Sequence, residues 1–192
     1  MKATRRAFTL LELMVVIALM AILGAGLGIV LTRGGGVPLQ AAETTLARIF
    51  QAARAQAALQ QTEARVIIAD TPEDGDRHLR FAGIIFRDAD DPNLWRAANN
   101  GVRLPDGIRF RPTDSDAAGG SMQIEFPLAQ ATAEGDGTRW FYFAYDARGR
   151  MLTPGFVALA HGRMEAGELI FADTPGGGFM AAATGALIFD TQ

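Results

Sequence analysis

The chain has 192 residues, a formal net charge of −3 at pH 7 and no cysteine. This length suffices for one membrane segment and one domain of about 100–150 residues. The lack of cysteine excludes disulfides, thiol nucleophiles and cysteine-based zinc sites. No clustered basic face indicates a nucleic-acid partner.

A short basic segment precedes a long apolar one. Residues 1–7, Met-Lys-Ala-Thr-Arg-Arg-Ala, carry three positive charges and no acid, and the nineteen residues from Leu13 to Leu31 carry no charge. As a helix, that run would be about 28 Å long, close to the thickness of a bilayer's hydrocarbon core. Basic residues favour the cytoplasmic side, so residues beyond 33 are predicted on the far side. The pattern predicts a single-pass protein with its amino terminus inside.

Glu12 lies at the start of this apolar run. A carboxylate there costs roughly 2.5–3.5 kcal/mol on insertion scales. Either it snorkels to the headgroups, or another chain supplies its partner. Cleavage after Ala7 would free an α-amino group on Phe8, and in a staggered bundle that amine could pair with Glu12 of a neighbour.

Residues 6–13, Arg-Ala-Phe-Thr-Leu-Leu-Glu-Leu, resemble the type III signal sequence of type IV pilins and type II secretion pseudopilins. The resemblance implies that a prepilin peptidase cuts between Ala7 and Phe8 and methylates Phe8, and that Glu12 guides assembly. The family prefers glycine where this chain has Ala7. Removal of the leader would change the formal charge from −3 to −6.

A conventional secretory signal peptide is the competing interpretation. Its apolar core would be shorter, about 7–15 residues, and it would end at a small residue such as Ala21 or one of residues 24–26.

Three consecutive glycines, Gly34–Gly36, and Pro38 follow the apolar segment. Glycine is entropically unfavourable in a helix and proline suits a first turn, so a kink or linker is predicted at 32–37. The predicted organisation is a cleaved leader (1–7), a transmembrane and assembly helix (8–31), this linker, and an exported domain (38–192).

An amphipathic helix is predicted from Pro38 to about Thr62, because apolar residues recur there every three or four positions. Such a helix should lie across a sheet. Its predicted apolar stripe contains Leu39, Ala42, Leu46, Ile49, Ala53, Ala57 and Gln60, with Phe50 and Leu59 beside it.

Beyond residue 64 the periodicity changes towards two, which predicts strands separated by turns. A helix followed by strands indicates an α+β fold, with a long amino-terminal helix packed on antiparallel sheets, as in pilins. The predicted strands are 65–69, 79–87, 107–111, 122–126, 139–145, 156–161, 168–172 and 186–189. The predicted turns are 71–76, 88–93, 112–120, 133–137, 146–149 and 175–178.

Two passages, 53–68 and 143–150, resemble the minor pseudopilins of the GspH/FimT group. The resemblance implies a structural subunit of a periplasmic pseudopilus in a type II secretion system, anchored in the bacterial inner membrane. Its expected partners are other pseudopilins or pilins through the amino-terminal helix, the prepilin peptidase and exported protein substrates. A minor type IV or DNA-uptake pilus subunit and a membrane-anchored enzyme or binding module are the alternatives.

No catalytic or cofactor-binding constellation is found, so no enzyme, cofactor or metal is predicted. His78 and His161 are the only histidines, and neither has metal-ligand spacing. Residues 114–125 match a calcium loop only at some positions, which favours coincidence, and 88–93 is predicted as a solvated acidic turn.

Five of the six residues in 140–145 are aromatic. This density predicts a strand with core on both faces. The alternative is one aromatic face that docks a neighbouring subunit or an exported substrate.

Overall fold

The computed structural model describes Met14 and residues 36–114, 120–127, 130–135, 137–173 and 176–189. The chain divides into two compact units, residues 1–37 and residues 38–192, and the second contains the elements below except for the first two residues of the helix. Within the described ranges, no helix combines the length and the apolar character needed to cross a bilayer. The predicted transmembrane segment, residues 8–31, lies outside those ranges except for Met14, which is helical.

Helix α1 spans Gly36–Gln60, close to the predicted bounds. The last two residues of the predicted 32–37 linker are therefore helical, while the rest of that linker lies outside the described residues. Gln61 then adopts a positive φ of 53°, and the N–H of Thr62 donates to the carbonyl of Ala57 at 3.2 Å, which closes the helix. The apolar stripe is buried as predicted, except that Leu39 is half-buried and Gln60 and Leu59 are exposed.

In the described part of the chain, twelve strands form two antiparallel sheets. Sheet 1 has the order β6-β8-β1-β2-β3-β7, with β4 beside β2. Its strands are β1 Ala64–Ala69, β2 Phe81–Arg87, β3 Leu94–Ala97, β4 Val102–Arg103, β6 Gly120–Ile124, β7 Thr132–Ala133 and β8 Thr138–Tyr145. Sheet 2 has the order β10-β9-β11-β12, with β5 beside β9. Its strands are β5 Ile108–Phe110, β9 Gly155–Glu165, β10 Glu168–Phe171, β11 Gly177–Ala181 and β12 Leu187–Phe189. A 3₁₀ turn, Pro112–Asp114, follows β5.

All eight predicted strands are present with shifted ends, and the α+β prediction is confirmed. Four strands were not predicted: β3, β4, β7 and β11. Two of them, β4 and β7, are only two residues long, which is too short for an alternating pattern to be recognised. The predicted turn at 175–178 is partly wrong, because β11 begins with Gly177 and Gly178.

The helix-side core lies between α1 and the two sheets. Phe50 of α1 is fully buried at its centre. The Phe50 ring lies 5.0 Å from the ring of Phe143 in sheet 1 and 5.2 Å from that of Phe179 in sheet 2, measured between centroids. One helical side chain therefore joins both sheets.

A second core, the inner core, covers the other face of sheet 1. The sheet curls back on itself, since the N–H of Gly135, just after β7, donates to the carbonyl of Gln123 in β6 at 3.0 Å. Phe126 packs over Gly83, where a Cβ atom would lie 2.4 Å from the Phe126 ring, so only glycine admits this ring. The buried members of the inner core are Ile67, Ala69, Ile85, Trp95, Met122, Ile124, Phe126 and Trp140.

The aromatic strand β8 contributes to both cores. Phe143 and Tyr145 are buried in the helix-side core, and Trp140 is buried in the inner core, where its Nε1–H donates to the carbonyl of Ile124 at 2.9 Å. The prediction of core on both faces is confirmed. The density of aromatic residues reflects a strand enclosed on two sides.

Candidate functional site

The predicted site residues Ala7, Phe8 and Glu12 lie outside the described residues. Cleavage between Ala7 and Phe8, methylation of Phe8 and the assembly role of Glu12 therefore stay predictions. The structure describes the domain that follows this signal, including the way in which helix α1 is attached to the sheets.

Helix α1 is tied to sheet 2 by side chains from its first and second halves. Glu43 Oε1 accepts a hydrogen bond from the N–H of Gly178 at 2.8 Å, and Arg54 Nη1 donates to the carbonyl of Gly185 at 3.3 Å. A Cβ atom at Gly177 would lie 2.1 Å from Glu43 Oε1, so a larger residue there would displace the Glu43 carboxylate from its present position. Together with Phe50, these contacts make the helix and sheet 2 one packed body, so a displacement of α1 is transmitted to the sheet.

The opposite face of α1 is exposed and consists of small and polar residues. It has no large apolar side chain between Val37 and Leu59. Its exposed residues are Gln40, Ala41, Thr44, Arg48, Gln51, Ala52, Ala55 and Ala58.

A buried arginine fills an aromatic cage at the edge of the inner core. The guanidinium of Arg65 lies 4.3 Å from the ring centroid of Trp95 and 4.1 Å from that of Tyr142. Its Nε pairs with Glu63 at 2.7 Å and its Nη1 with Glu134 at 3.3 Å. Cages of this kind bind cationic ligands in other proteins. Here the protein's own cation occupies the cage, so the cluster is structural.

Glu63, one of the two acids that pair with Arg65, is ionised. Burial acts to raise the pKa of Glu63, but hydrogen bonds and positive charge from Arg65 and Arg87 outweigh it and hold the pKa below its usual value. Nη1 of Arg65 also approaches the sulfur of Met122 at 3.6 Å. The sequence offered one signal for this cluster, an arginine within the apolar strand β1.

A second polar cluster surrounds His78, which is buried beside Asp70. Nδ1 of His78 lies 3.7 Å from Asp70 Oδ1, and Asp70 Oδ2 pairs with Arg139 Nε at 2.6 Å. Arg109 donates to the backbone carbonyls of His78 and Gly75. Arg109 therefore holds the turn 71–79 against β5, and the cluster stabilises this turn.

This His78 cluster lacks the geometry of a catalytic site. Nδ1 of His78 has no hydrogen-bond partner among the described residues. No serine or cysteine belongs to the cluster, and no group of three or more His, Asp or Glu residues in the described part of the chain could hold a metal ion.

His78 should make the stability of the domain depend on pH. Burial lowers the pKa of His78, and the charge of Asp70 offsets this only in part. The unfolded chain then binds a proton more readily than the folded one, so stability is complete above the ordinary histidine pKa of about 6.5 and falls as the pH decreases below it. We expect the urea midpoint of the wild type to decrease between pH 7.5 and pH 5, and the decrease to become smaller in His78→Gln.

The matched control is His161→Gln, in the partly exposed part of β9, which should keep the wild-type pH dependence. If His78→Gln lost as much stability on acidification as the wild type, the His78 cluster would not be the source of that dependence.

The acidic segment 88–93 differs from its prediction. Asp88 is buried rather than solvated. Its carboxylate accepts hydrogen bonds from the N–H groups of Asp90 and Asp91 and pairs with Arg96, and these contacts lower the pKa of Asp88. Asp88 thus caps the turn into β3. The other acidic stretch, 114–125, contains residues 115–119, which lie outside the described residues.

A surface cavity of about 400 Å³ lies beside β9 and β10. His161, Arg163 and Phe171 line it, and Arg163 pairs with Glu165 at 2.6 Å. Asp173 also lines the cavity, and we assign no reaction to it.

The comparisons with known proteins identify the amino-terminal signal. A prokaryotic N-terminal methylation motif matches residues 2–28. This match confirms the resemblance to the prepilin-type signal that was predicted from residues 6–13. No curated protein matches the chain.

One similar solved structure is the minor pseudopilin EpsH from the type II secretion system of Vibrio cholerae. It shares 16 % sequence identity with this chain, and the TM-score is 0.47. The alignment covers 79 % of this chain and 95 % of EpsH.

Proposed function

We propose that the protein is a minor pseudopilin, a structural subunit of a periplasmic pseudopilus in a type II protein secretion system. The observation that carries this proposal is the methylation motif at residues 2–28, followed in the same chain by an α+β domain. We choose a minor pseudopilin because passages 53–68 and 143–150 resemble the GspH/FimT group.

Assembly would depend on Glu12 and on the amine of Phe8. Cleavage after Ala7 releases this amine, and its methylation keeps the nitrogen basic and positively charged. A carboxylate among apolar helices is costly when it is alone and is stabilised when an opposite charge and hydrogen bonds reach it. Pairing of Glu12 with the Phe8 amine of a neighbour would therefore favour the packed filament over the isolated helix in the membrane.

The folded domain would move with helix α1. Because Glu43, Phe50 and Arg54 fasten α1 to the sheets, axial movement of the helix moves sheet 2 with it. In this arrangement the amino terminus is cytoplasmic, residues 8–31 cross the inner membrane and the domain from 38 onward lies in the periplasm. Other pseudopilins, the prepilin peptidase and exported proteins would be its partners.

A subunit of a type IV pilus or a DNA-uptake pilus is the second candidate. The methylation motif favours it equally, since prepilins of all these systems share the signal that residues 6–13 resemble. Loss of secretion without loss of pili, after deletion of the gene, would separate the first candidate from the second.

Mass spectrometry of the mature amino terminus tests the proposal. We expect the first peptide of the membrane-extracted protein to begin at Phe8 and to carry one methyl group on its α-nitrogen. An Ala7→Gly variant should yield the same peptide, because both residues are small. A functional protein that begins at Met1, or one cut within residues 21–26 by a signal peptidase, would contradict the proposal.

A further inference from the structure

One residue at the end of the turn 71–79 connects the backbones of the two sheets. The N–H of Leu79 donates to the carbonyl of Ala69, the last residue of β1 in sheet 1, at 2.7 Å. The N–H of Phe110, the last residue of β5 in sheet 2, donates to the carbonyl of Leu79, also at 2.7 Å. Leu79 is buried. These two hydrogen bonds are called the Leu79 link below.

The Leu79 link holds its central residue in a strained conformation. Leu79 has a φ of 55°, in the left-handed region that favours glycine. A leucine persists there only when its surroundings fix it, and strain of this kind is common in segments that switch between two conformations. An opening of the turn that breaks the link would let Leu79 return to an ordinary backbone conformation. The strain therefore favours opening.

Side chains of sheet 2 also hold the turn. Arg109 of β5 donates to the backbone carbonyls of His78 and Gly75. Met164 of β9 packs on Gly75, where a Cβ atom would lie 3.3 Å from the methionine side chain. The contact with Arg109 places a positive guanidinium beside a histidine that can itself become positive. This part of the attachment is therefore sensitive to the charge of His78.

Charged groups from four parts of the chain face the imidazole of His78. Asp70, just after β1, and Glu73 of the turn are negative, whereas Arg109 of β5 and Arg139 of β8 are positive. Nδ1 of His78 lies 3.7 Å from Asp70 Oδ1, which is too long for a hydrogen bond. The other carboxylate oxygen of Asp70 pairs with Arg139 at 2.6 Å. Burial is the largest influence, and the pKa of His78 is lowered.

Protonation of His78 should favour an open turn. Opening would expose the imidazole to water, where its pKa returns towards the ordinary value of about 6.5. The open turn would then bind the proton more tightly than the closed one, and a ligand that prefers one of two conformations shifts the equilibrium towards it. The closed turn therefore has its full stability above about pH 6.5 and loses it as the pH falls below that value.

A second connection between the sheets consists of backbone groups alone. The N–H of Leu152 donates to the carbonyl of Ala144 in β8 at 2.9 Å, and the N–H of Met151 donates to the carbonyl of Ala183, just beyond β11, at 3.1 Å. Phe50 of α1 also contacts both sheets. The two sheets would therefore stay assembled if the Leu79 link opened.

We propose that the turn 71–79 is a pH-sensitive clasp between the two sheets, closed when His78 is neutral and open when His78 is protonated. In the closed state Leu79 joins the backbones of β1 and β5. In the open state the Leu79 link is broken and His78 reaches water, while sheet 2 stays attached to helix α1. The clasp is a property of the folded domain and does not depend on a role in a pseudopilus.

Native-state hydrogen exchange of the full-length chain in detergent micelles tests the proposal. Mass spectrometry with residue-level fragmentation follows the amides of Leu79 and Phe110, with the amides of β1 as the reference, and each rate is divided by the intrinsic rate at the same pH. From pH 7.5 to pH 5.5, we expect the protection of Leu79 and Phe110 to fall by about three- to tenfold. Tenfold is the limit for one proton that only the open state binds, with a pKa of about 6.5.

Urea distinguishes local opening from global unfolding. At pH 5.5, about 1 M urea should leave the exchange rates of Leu79 and Phe110 unchanged and accelerate exchange in β1, because local opening exposes little surface and global unfolding exposes much. If the two amides keep their protection at pH 5.5, or lose it only with the urea dependence of β1, the clasp is overturned.

His78→Gln removes the titrating group and keeps a polar side chain. In this variant the protection of Leu79 and Phe110 should no longer depend on pH, whereas the matched control His161→Gln should behave as the wild type. An unchanged pH dependence in His78→Gln would also overturn the proposal. If His78→Gln does not fold, the pH and urea dependence of the wild type decides the question by itself.

Discussion

Replacement of Glu12 by leucine should leave the chain in the membrane and lower its incorporation into filaments by more than tenfold. Leucine is at least as favourable as glutamate for insertion. Under the proposed pairing, leucine would leave the neighbour's Phe8 amine without a partner in an apolar bundle. Breaking a buried ion pair costs about 3–5 kcal/mol, and about 1.4 kcal/mol already corresponds to a factor of ten.

The measurement is the amount of the chain in sheared or cross-linked filaments relative to the amount in the membrane fraction. Glu165→Leu is the matched control, because Glu165 is exposed at the turn between β9 and β10 and the chemical change is identical. Wild-type incorporation of Glu12→Leu would refute the pairing of Glu12 with the amine.

The second large effect is expected at Phe50. Phe50→Ala should destabilise the domain by about 3–5 kcal/mol, the usual cost of removing a buried phenylalanine. The cost should be high in this range, since the ring contacts Phe143, Tyr145 and Phe179 and so joins the helix to both sheets. Neither sheet can move in to fill the resulting cavity without losing its contacts with the other sheet.

Thermal or urea unfolding, followed through the fluorescence of the buried Trp95 and Trp140, measures this effect. Leu59→Ala lies on the same helix, where Leu59 is 75 % exposed, and should change stability by less than about 0.5 kcal/mol. Comparable losses in the two variants would mean that Phe50 does not hold the layers together.

Local patterns predicted the elements whose apolar residues repeat at helical or strand spacing over a short stretch of the chain. Helix α1 was found because Leu46, Ile49 and Ala53 repeat at helical spacing, and β1 because residues 66–68 are β-branched and apolar. Strand β11 was missed, since Gly177 and Gly178 suggest a turn when they are considered locally. In the structure these glycines allow Glu43, more than a hundred residues earlier in the chain, to reach the strand backbone. The reason for the two glycines is therefore not local.

The charged clusters were not predictable from local spacing. Arg65 becomes acceptable inside the protein only because Trp95, Tyr142 and Glu134 arrive from three other parts of the chain. Asp88 belongs to a segment with three aspartates in six residues, and its burial follows from the turn that it caps. In both cases the cost of burying a charge is offset by partners that the linear pattern does not specify.

By itself the sequence determined the methylation motif at residues 2–28, the extent of helix α1 and the α+β class, because charge order and hydrophobic period are local properties. Only the tertiary structure decided the strand order of the two sheets and the curl that brings β7 near β6 in sheet 1. Strand pairing joins residues that are distant in the chain, so its order is not contained in any local pattern.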